Sequence, residues 1–220
     1  MENKFKQGRD ALQMSIYKVI DPVVWLMRKV GMTPNMVTTV GLIGNLAAAA
    51  MILYAALSPL VNPYSWIGWG GLVIILSSLF DMLDGRLART ANMVSKFGAF
   101  YDSVLDRYQE LTTLSAIAVY FMYSGNALGT VATFLSLIGS IMVSYVRARA
   151  EGLGCECKVG LMQRPERVVL TALGCMLFGL LHGSMGSDSV WFLLVPQLLI
   201  AVLSNATAVV RIIHVYKQLR

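Results

Sequence analysis

Four aspartates, Asp81, Asp84, Asp102 and Asp106, fall in the run DMLDGRLARTANMVSKFGAFYDSVLD, inside a sequence that is otherwise mostly membrane-like. Carboxylates near hydrocarbon are costly, so a cluster of them marks a functional site. On helices, Asp81 and Asp84 (i, i+3) share a face, as do Asp102 and Asp106 (i, i+4). Two such pairs on adjacent helices can converge as an all-oxygen cage, the donor set that suits hard divalent cations such as Mg²⁺ or Mn²⁺. Small residues and a guanidinium lie between the pairs. Gly85 and Ala88 leave backbone open to a flat or phosphorylated ligand. Arg89, two turns beyond Asp81 on roughly the same face, suits phosphate oxygens, and Gly98 opens the next helix one turn before Asp102. That order suits a metal-bridged diphosphate at a membrane surface.

The elements that position these residues are membrane spans. The chain has 220 residues, 56% hydrophobic and 14% charged, with a mean hydropathy of +0.64. Soluble domains carry about a quarter charged residues. Apolar stretches near 36–58, 66–84, 99–122, 127–147, 168–185 and 190–213 have the length of about 20 residues that a bilayer requires. The expected fold is therefore an all-α integral membrane protein with six transmembrane helices.

Charge placement orients them. All 18 Lys and Arg fall in 1–35, 85–98, 148–167 and 214–220 or at the helix ends that adjoin these segments, and the connections near 59–65, 123–126 and 184–189 hold none. This segregation predicts both termini and the aspartate motif on the cytosolic side of the cytoplasmic membrane. The net charge of +6 fits anionic headgroups and an anionic substrate rather than nucleic acid.

Residues 10–30 mix apolar side chains with Lys18, Arg28 and Lys29, while Tyr17 and Trp25 suit the interface, as in an amphipathic surface helix broken or kinked at Pro22. Residues 1–35 thus form a cytosolic amphipathic and juxtamembrane segment, and 36–220 a six-helix domain. Gly31-Met-Thr-Pro-Asn marks a turn in which Thr33 caps the first span ahead of Pro34. Asn62 to Trp66 reads as the first outer loop. Cys155, Cys157 and Cys175 are expected as reduced thiols.

The run from Asp81 to Asp106 is similar, without a gap, to the signature D-x2-D-G-x2-A-R-x8-G-x3-D-x3-D of the CDP-alcohol phosphotransferase family. All its fixed positions are present as Asp81, Asp84, Gly85, Ala88, Arg89, Gly98, Asp102 and Asp106. The resemblance implies an enzyme that moves a phosphatidyl or related group from a CDP-linked donor to an alcohol and releases CMP. It implies a two-metal site in which Asp81, Asp84 and Asp102 bind Mg²⁺ or Mn²⁺, with Asp106 completing the second site or acting as base. Gly85, Ala88 and Gly98 would border the CDP donor, Arg89 its phosphates, and Asn35 and Thr38 would reach it from the first span. A homodimer is also implied.

The segment S144-Y-V-R-A-R-A-E151 followed by G160-L-M-Q-R-P-E-R167 resembles the phosphatidylinositol phosphate synthase branch of that family, whose acceptor is inositol 1-phosphate. Gln163 departs from the Glu that many relatives carry there. Arg147, Arg149, Lys158, Arg164, Arg167 and Arg211 are the candidates for a phosphorylated polyol acceptor, with anchoring of helix ends as their other reading. Arg86 and Arg107 are expected to meet lipid headgroups or a partner subunit. With CDP-diacylglycerol as donor, glycerol 3-phosphate is the alternative acceptor. A cation transporter is a more distant reading, since transporters place carboxylates near midspan and show paired repeats.

Overall fold

The computed structural model describes residues 20–58 and 62–220, and every regular element among them is helical. Residues 20–29 are helical and are called α1. The part of the expected surface helix before residue 20 lies outside the described residues. Six long helices follow: α2 (Pro34–Leu57), α3 (Pro63–Thr90), α4 (Lys96–Tyr123), α5 (Ala127–Glu151), α6 (Arg164–Met185) and α7 (Val190–Leu219).

Their starts are written locally. Thr33 caps α2 by accepting from the Met36 amide, Asn62 caps α3 by accepting from Tyr64 and Ser65, and Ser95 caps α4 by accepting from Gly98. Pro34, Pro63 and Pro165 stand in first turns, where a missing amide proton costs nothing. The Asn62 cap makes Pro63 to Trp66 the opening turn of α3, where the apolar pattern alone reads a loop.

Helices α2, α3 and α5, and the stretch Arg164–Leu219 that takes in α6, a 3-10 turn and α7, are long and apolar enough to cross a membrane. Helix α4 is as long as α3, but Asp102, Asp106, Arg107 and Glu110 fall along it up to its middle. The chain runs up and down, and the packing closes a ring in the order α2, α3, α6, α7, α5, α4 and back to α2. Inside it lies an apolar core that includes Ile52, Ile67, Ile117, Phe121, Phe178 and Ile200. Small residues let the backbones approach, as membrane helices require: a Cβ added to Gly179 would lie 2.6 Å from the Cα of Gly68. Chain direction gathers the C-terminal ends of α3, α5 and α7 with the N-terminal ends of α2, α4 and α6 at one end of the ring, the charged end.

Candidate active site

The aspartate motif spans the turn between α3 and α4 at that end. Helix α3 continues unbroken to Thr90, so Asp81, Asp84, Gly85, Ala88 and Arg89 all lie on regular helix, and Asp102 and Asp106 lie in the first three turns of α4. Asp84 is buried, and its Oδ2 accepts from the Thr38 hydroxyl of α2 at 2.6 Å. Arg164, at the start of α6, reaches across the ring. Its Nη1 stands 2.8 Å from Asp81 Oδ2 and 2.9 Å from Asp106 Oδ1. Its Nη2 donates to Gln109 Oε1 at 2.8 Å, and Gln109 Nε2 turns back to Asp81 Oδ1 at 3.4 Å.

Among the described residues, no three Asp, Glu, His or Cys side chains converge on one ion position. The reason lies in these bonds: Arg164 stands between Asp81 and Asp106, and Thr38 holds Asp84. Asp106 Oδ1 is buried and accepts no well-aligned hydrogen bond, despite the nearby Arg164 charge.

Two cavities open beside the aspartates. The first, of about 340 Å³, is lined by Asn35 and Thr38 of α2, by Asp84, Gly85, Ala88 and Arg89 of α3, and by Gly98 and Asp102 of α4. The Arg89 guanidinium lies over Gly85, within 4 Å of where a Cβ would stand, and a Cβ on Gly98 would come 3.0 Å from Ser95 Oγ and 3.5 Å from Asn35 Oδ1. All the expected donor-binding residues therefore line one wall system, with one guanidinium facing two carboxylates.

The second cavity, of about 660 Å³, is lined by Asp102, Asp106, Arg107, Arg147, Glu151, Arg164, Arg167 and Arg211, among others. Five arginines here face three carboxylates, an electropositive chamber suited to a phosphorylated ligand. Asp102 and Ala99 line both cavities, so the two meet at that turn of α4.

The expected acceptor cations divide. Arg147 lines the second cavity and pairs with Glu151 at 2.9 Å. Arg167 is 2% exposed and donates from Nε and Nη2, one edge of its guanidinium, to Glu110 at 2.5 and 2.9 Å. Arg211 lines the cavity with a buried head whose Nε and Nη1 donate to the carbonyls of Val159 and Val143, tying the 152–163 connection to α5 and α7. Arg149 and Lys158 are not brought there. Arg149 is two residues from Arg147, so on a helix it points to a different side and is exposed. Lys158 is exposed and pairs with Glu156 at 2.8 Å, an interaction that pulls the Glu156 carboxyl below its usual range.

Arg107, read from sequence as meeting lipid headgroups or a partner subunit, instead borders the second cavity. Arg86, read the same way, pairs with Asp21 of α1. Gln109 and Glu110 were not anticipated as site residues. They lie one turn past Asp106, outside the signature, and their polarity within a span was the only signal available.

A model of the CDP-alcohol phosphatidyltransferase family matches residues 31–213. The chain belongs to the CDP-alcohol phosphatidyltransferase family. Within that family it is 32% identical to the phosphatidylinositol phosphate synthase of Cutibacterium acnes over 164 residues, covering 74% of this chain and 75% of the relative. It is 31% identical to the archaetidylinositol phosphate synthase of Methanothermobacter thermautotrophicus over 205 residues, 93% of this chain and 92% of that one. Its fold is similar to that of Mycobacterium tuberculosis phosphatidylinositol phosphate synthase crystallised with CDP-DAG bound, with a TM-score of 0.77 and 27% identity, covering 90% of this chain and 94% of that one. The same enzyme has also been crystallised in complex with manganese and citrate (TM-score 0.76, 28% identity, 89% of this chain and 88% of that one). The run from Asp81 to Asp106 lies inside the matched residues, and the two cavities meet within it, at Ala99 and Asp102 of α4.

Proposed function

We propose that this phosphatidyltransferase transfers the phosphatidyl group of CDP-diacylglycerol to inositol 1-phosphate, forming phosphatidylinositol phosphate and CMP. The observation that carries this reading is the meeting of an acid-lined cavity and an arginine-lined cavity at Asp102. The names of relatives on both sides of the family branch support it, as does the CDP-DAG bound by the structural neighbour.

In this reading the CDP headgroup occupies the smaller cavity, against Gly85 and Ala88, with Asn35 and Thr38 beside it and Arg89 on its phosphates. The absence of side chains at Gly85 and Gly98 gives the nucleotide close access to backbone. The phosphorylated acceptor occupies the larger cavity, where Arg147 and Arg164 supply charge-assisted hydrogen bonds and the buried Arg167 and Arg211 add positive charge behind them. Its hydroxyl oxygen attacks the β-phosphorus of the donor, the diphosphate P–O bond breaks, CMP departs, and Asp106 takes the hydroxyl proton.

The donor set fits hard divalent cations, being carboxylate oxygens from adjacent turns of two helices without sulfur or imidazole. Asp81, Asp84, Asp102 and Asp106 would hold two Mg²⁺ or Mn²⁺ ions, and the manganese complex of the structural neighbour supports the choice. Bound there, such ions offset the charge on the phosphoryl oxygens and on CMP.

The charged end would face the cytosol with both termini, following the distribution of Lys and Arg. Residues 1–35 would lie at the membrane surface ahead of the 36–220 domain, and the enzyme would work as a homodimer. The archaetidylinositol relative, matched over 93% of this chain, favours a second reading of the donor alone, with ether-linked rather than acyl chains.

The test is CMP release by the purified protein in detergent with Mg²⁺ or Mn²⁺. Acyl and ether CDP-lipid donors would each be offered inositol 1-phosphate, glycerol 3-phosphate, free inositol and serine. Release with inositol 1-phosphate alone is the expected result. Release with glycerol 3-phosphate instead discards the inositol assignment, and release with none of them discards the function.

A further inference from the structure

Helix α3 has two working sides at the charged end. Asp84, Gly85, Ala88 and Arg89 line the smaller cavity. Leu83 and Leu87 face the other way and are buried with Val24 and Met27 of α1 and Val37 of α2, with Ile20, Phe80 and Ala91 packed at the edge. Helix α1 therefore backs the wall of that cavity. Arg86 and Asp21 close the contact from the flank: Arg86 Nε donates to Asp21 Oδ1 at 2.7 Å, and Nη2 donates to Asp21 Oδ2 at 2.9 Å. This two-pronged geometry fixes orientation as well as distance. Arg86 is the residue between Gly85 and Leu87, so a force on its side chain acts on the turn that holds Asp84 and Gly85.

The outer side of α1 is of another kind. Val23, Trp25 and Leu26 are 43%, 62% and 55% exposed, and Lys29 Nζ sits 5.1 Å over the Trp25 ring. An apolar face edged by cations is suited to the headgroup layer of a bilayer. A helix seated in lipid on one side and clamped to the cavity wall on the other joins the donor's two environments, its chains in the bilayer and its headgroup in the cavity.

We infer that Asp21 and Arg86 are positioning residues for the lipid-linked donor: their clamp holds α1 against α3 and so sets the wall on which the CDP headgroup rests. This inference rests on the proposed placement of the donor in the smaller cavity. Neither residue lines the smaller or the larger cavity, so their effect reaches donor binding through the wall they hold.

The test uses the full-length enzyme with Asp21→Asn, Arg86→Gln and the charge-swapped pair Asp21→Arg with Arg86→Asp. Two readouts are taken on each. The first is the KM for CDP-diacylglycerol, the KM for inositol 1-phosphate and kcat. The second is the distance between spin labels at Leu26→Cys on α1 and Phe97→Cys on α4, both exposed positions, in protein whose own three cysteines are buried. The pair is partly exposed and its contribution correspondingly modest, so the single variants should raise the donor KM about three- to fivefold and broaden the label distance. The acceptor KM and kcat should stay unchanged, and the swapped pair should restore both donor KM and distance.

Unchanged label distances in the single variants would overturn the clamp. Broadened distances with an unchanged donor KM would overturn its role in positioning the donor, as would a loss spread equally over both substrates. If the wild-type protein releases no CMP from CDP-diacylglycerol, the donor placement itself falls. The distances then decide the clamp alone, upholding it if they broaden and recover in the swap and overturning it if they do not.

Discussion

Glu110 and Arg167 face each other between α4 and α6 with both carboxylate oxygens on the guanidinium, and both side chains are almost wholly buried. Two charges removed from water repay that cost only as a pair. Arg167 also donates to the Met162 carbonyl at 3.2 Å, so the pair fixes the chain just ahead of α6, where Arg164 stands. Arg167→Met alone should destabilise the protein by about 3–5 kcal/mol, because Glu110 is left charged without a partner. Arg167→Met with Glu110→Leu should recover most of that stability in a thermal denaturation series, yet leave CMP release impaired.

Gln109 joins Asp81 to Arg164 through opposite ends of one amide. Replacing it with Leu keeps the volume and removes both bonds. With roughly 1 kcal/mol for each of the two bonds, kcat/KM should fall about thirtyfold with little change in thermal stability. An equal loss of stability and activity would reduce Gln109 to a packing residue.

Asp102 is the carboxylate on the wall between the two cavities. Asp102→Asn preserves shape and removes the charge that a divalent cation requires. CMP release should drop by at least about a hundredfold, since loss of ion stabilisation at a phosphoryl centre amounts to several kcal/mol. Mn²⁺ affinity, read by its paramagnetic spectrum on the substrate-free protein, should weaken in parallel.

The split among the acceptor cations is measurable. Arg147→Ala should raise the KM for inositol 1-phosphate about tenfold, the low end for a half-exposed charge-assisted contact, and leave the donor KM alone. Arg149→Ala and Lys158→Ala should change it less than about twofold, because surface charges outside the cavity are screened. Equal effects of Arg147 and Arg149 would mean that the chamber extends around α5.

The clamp between Asp21 and Arg86 has a pH signature. The hydrogen bond from Arg86 holds the Asp21 carboxyl below its ordinary value of 3.8. A carboxyl lowered in the folded state contributes stability above its unfolded pKa and loses it as pH falls through the folded one. The spin-label distance across α1 and α4 should therefore hold from about pH 6 to pH 8 and broaden only under acid conditions below the usual carboxylate range.

Much of this arrangement is legible in the sequence for physical reasons. Thr33 ahead of Pro34 marks a helix start because those residue types satisfy or lack the amides that a first turn leaves unpaired, whereas Asn62 ahead of Pro63 read as a loop although it opens α3 in the same way. The aspartate spacing marks the site because carboxylates survive near hydrocarbon only when something needs them. Periodicity does not say which side of a helix faces a cavity, so Arg147 and Arg149 read alike although only Arg147 lines it. Nor does it reveal partners far apart in the chain. Asp21 and Arg86 are separated by 65 residues, and so Arg86 read as a lipid contact. Gln109 and Glu110 escaped notice because one polar pair in a span carries no spacing of its own. Their role appears only once α6 brings Arg164 and Arg167 alongside.

The common wall at Asp102 has a pharmacological consequence. Two ligands that meet at one side chain can be tethered by a short linker, and the second arm then binds at the high effective concentration set by that linker. A cytidine-like head joined to a compact polyanion would draw on both chambers at once. Its affinity should exceed that of either half by far more than any added contact accounts for. Such a compound would discriminate against enzymes that share the nucleotide chamber but line the other with something other than arginine.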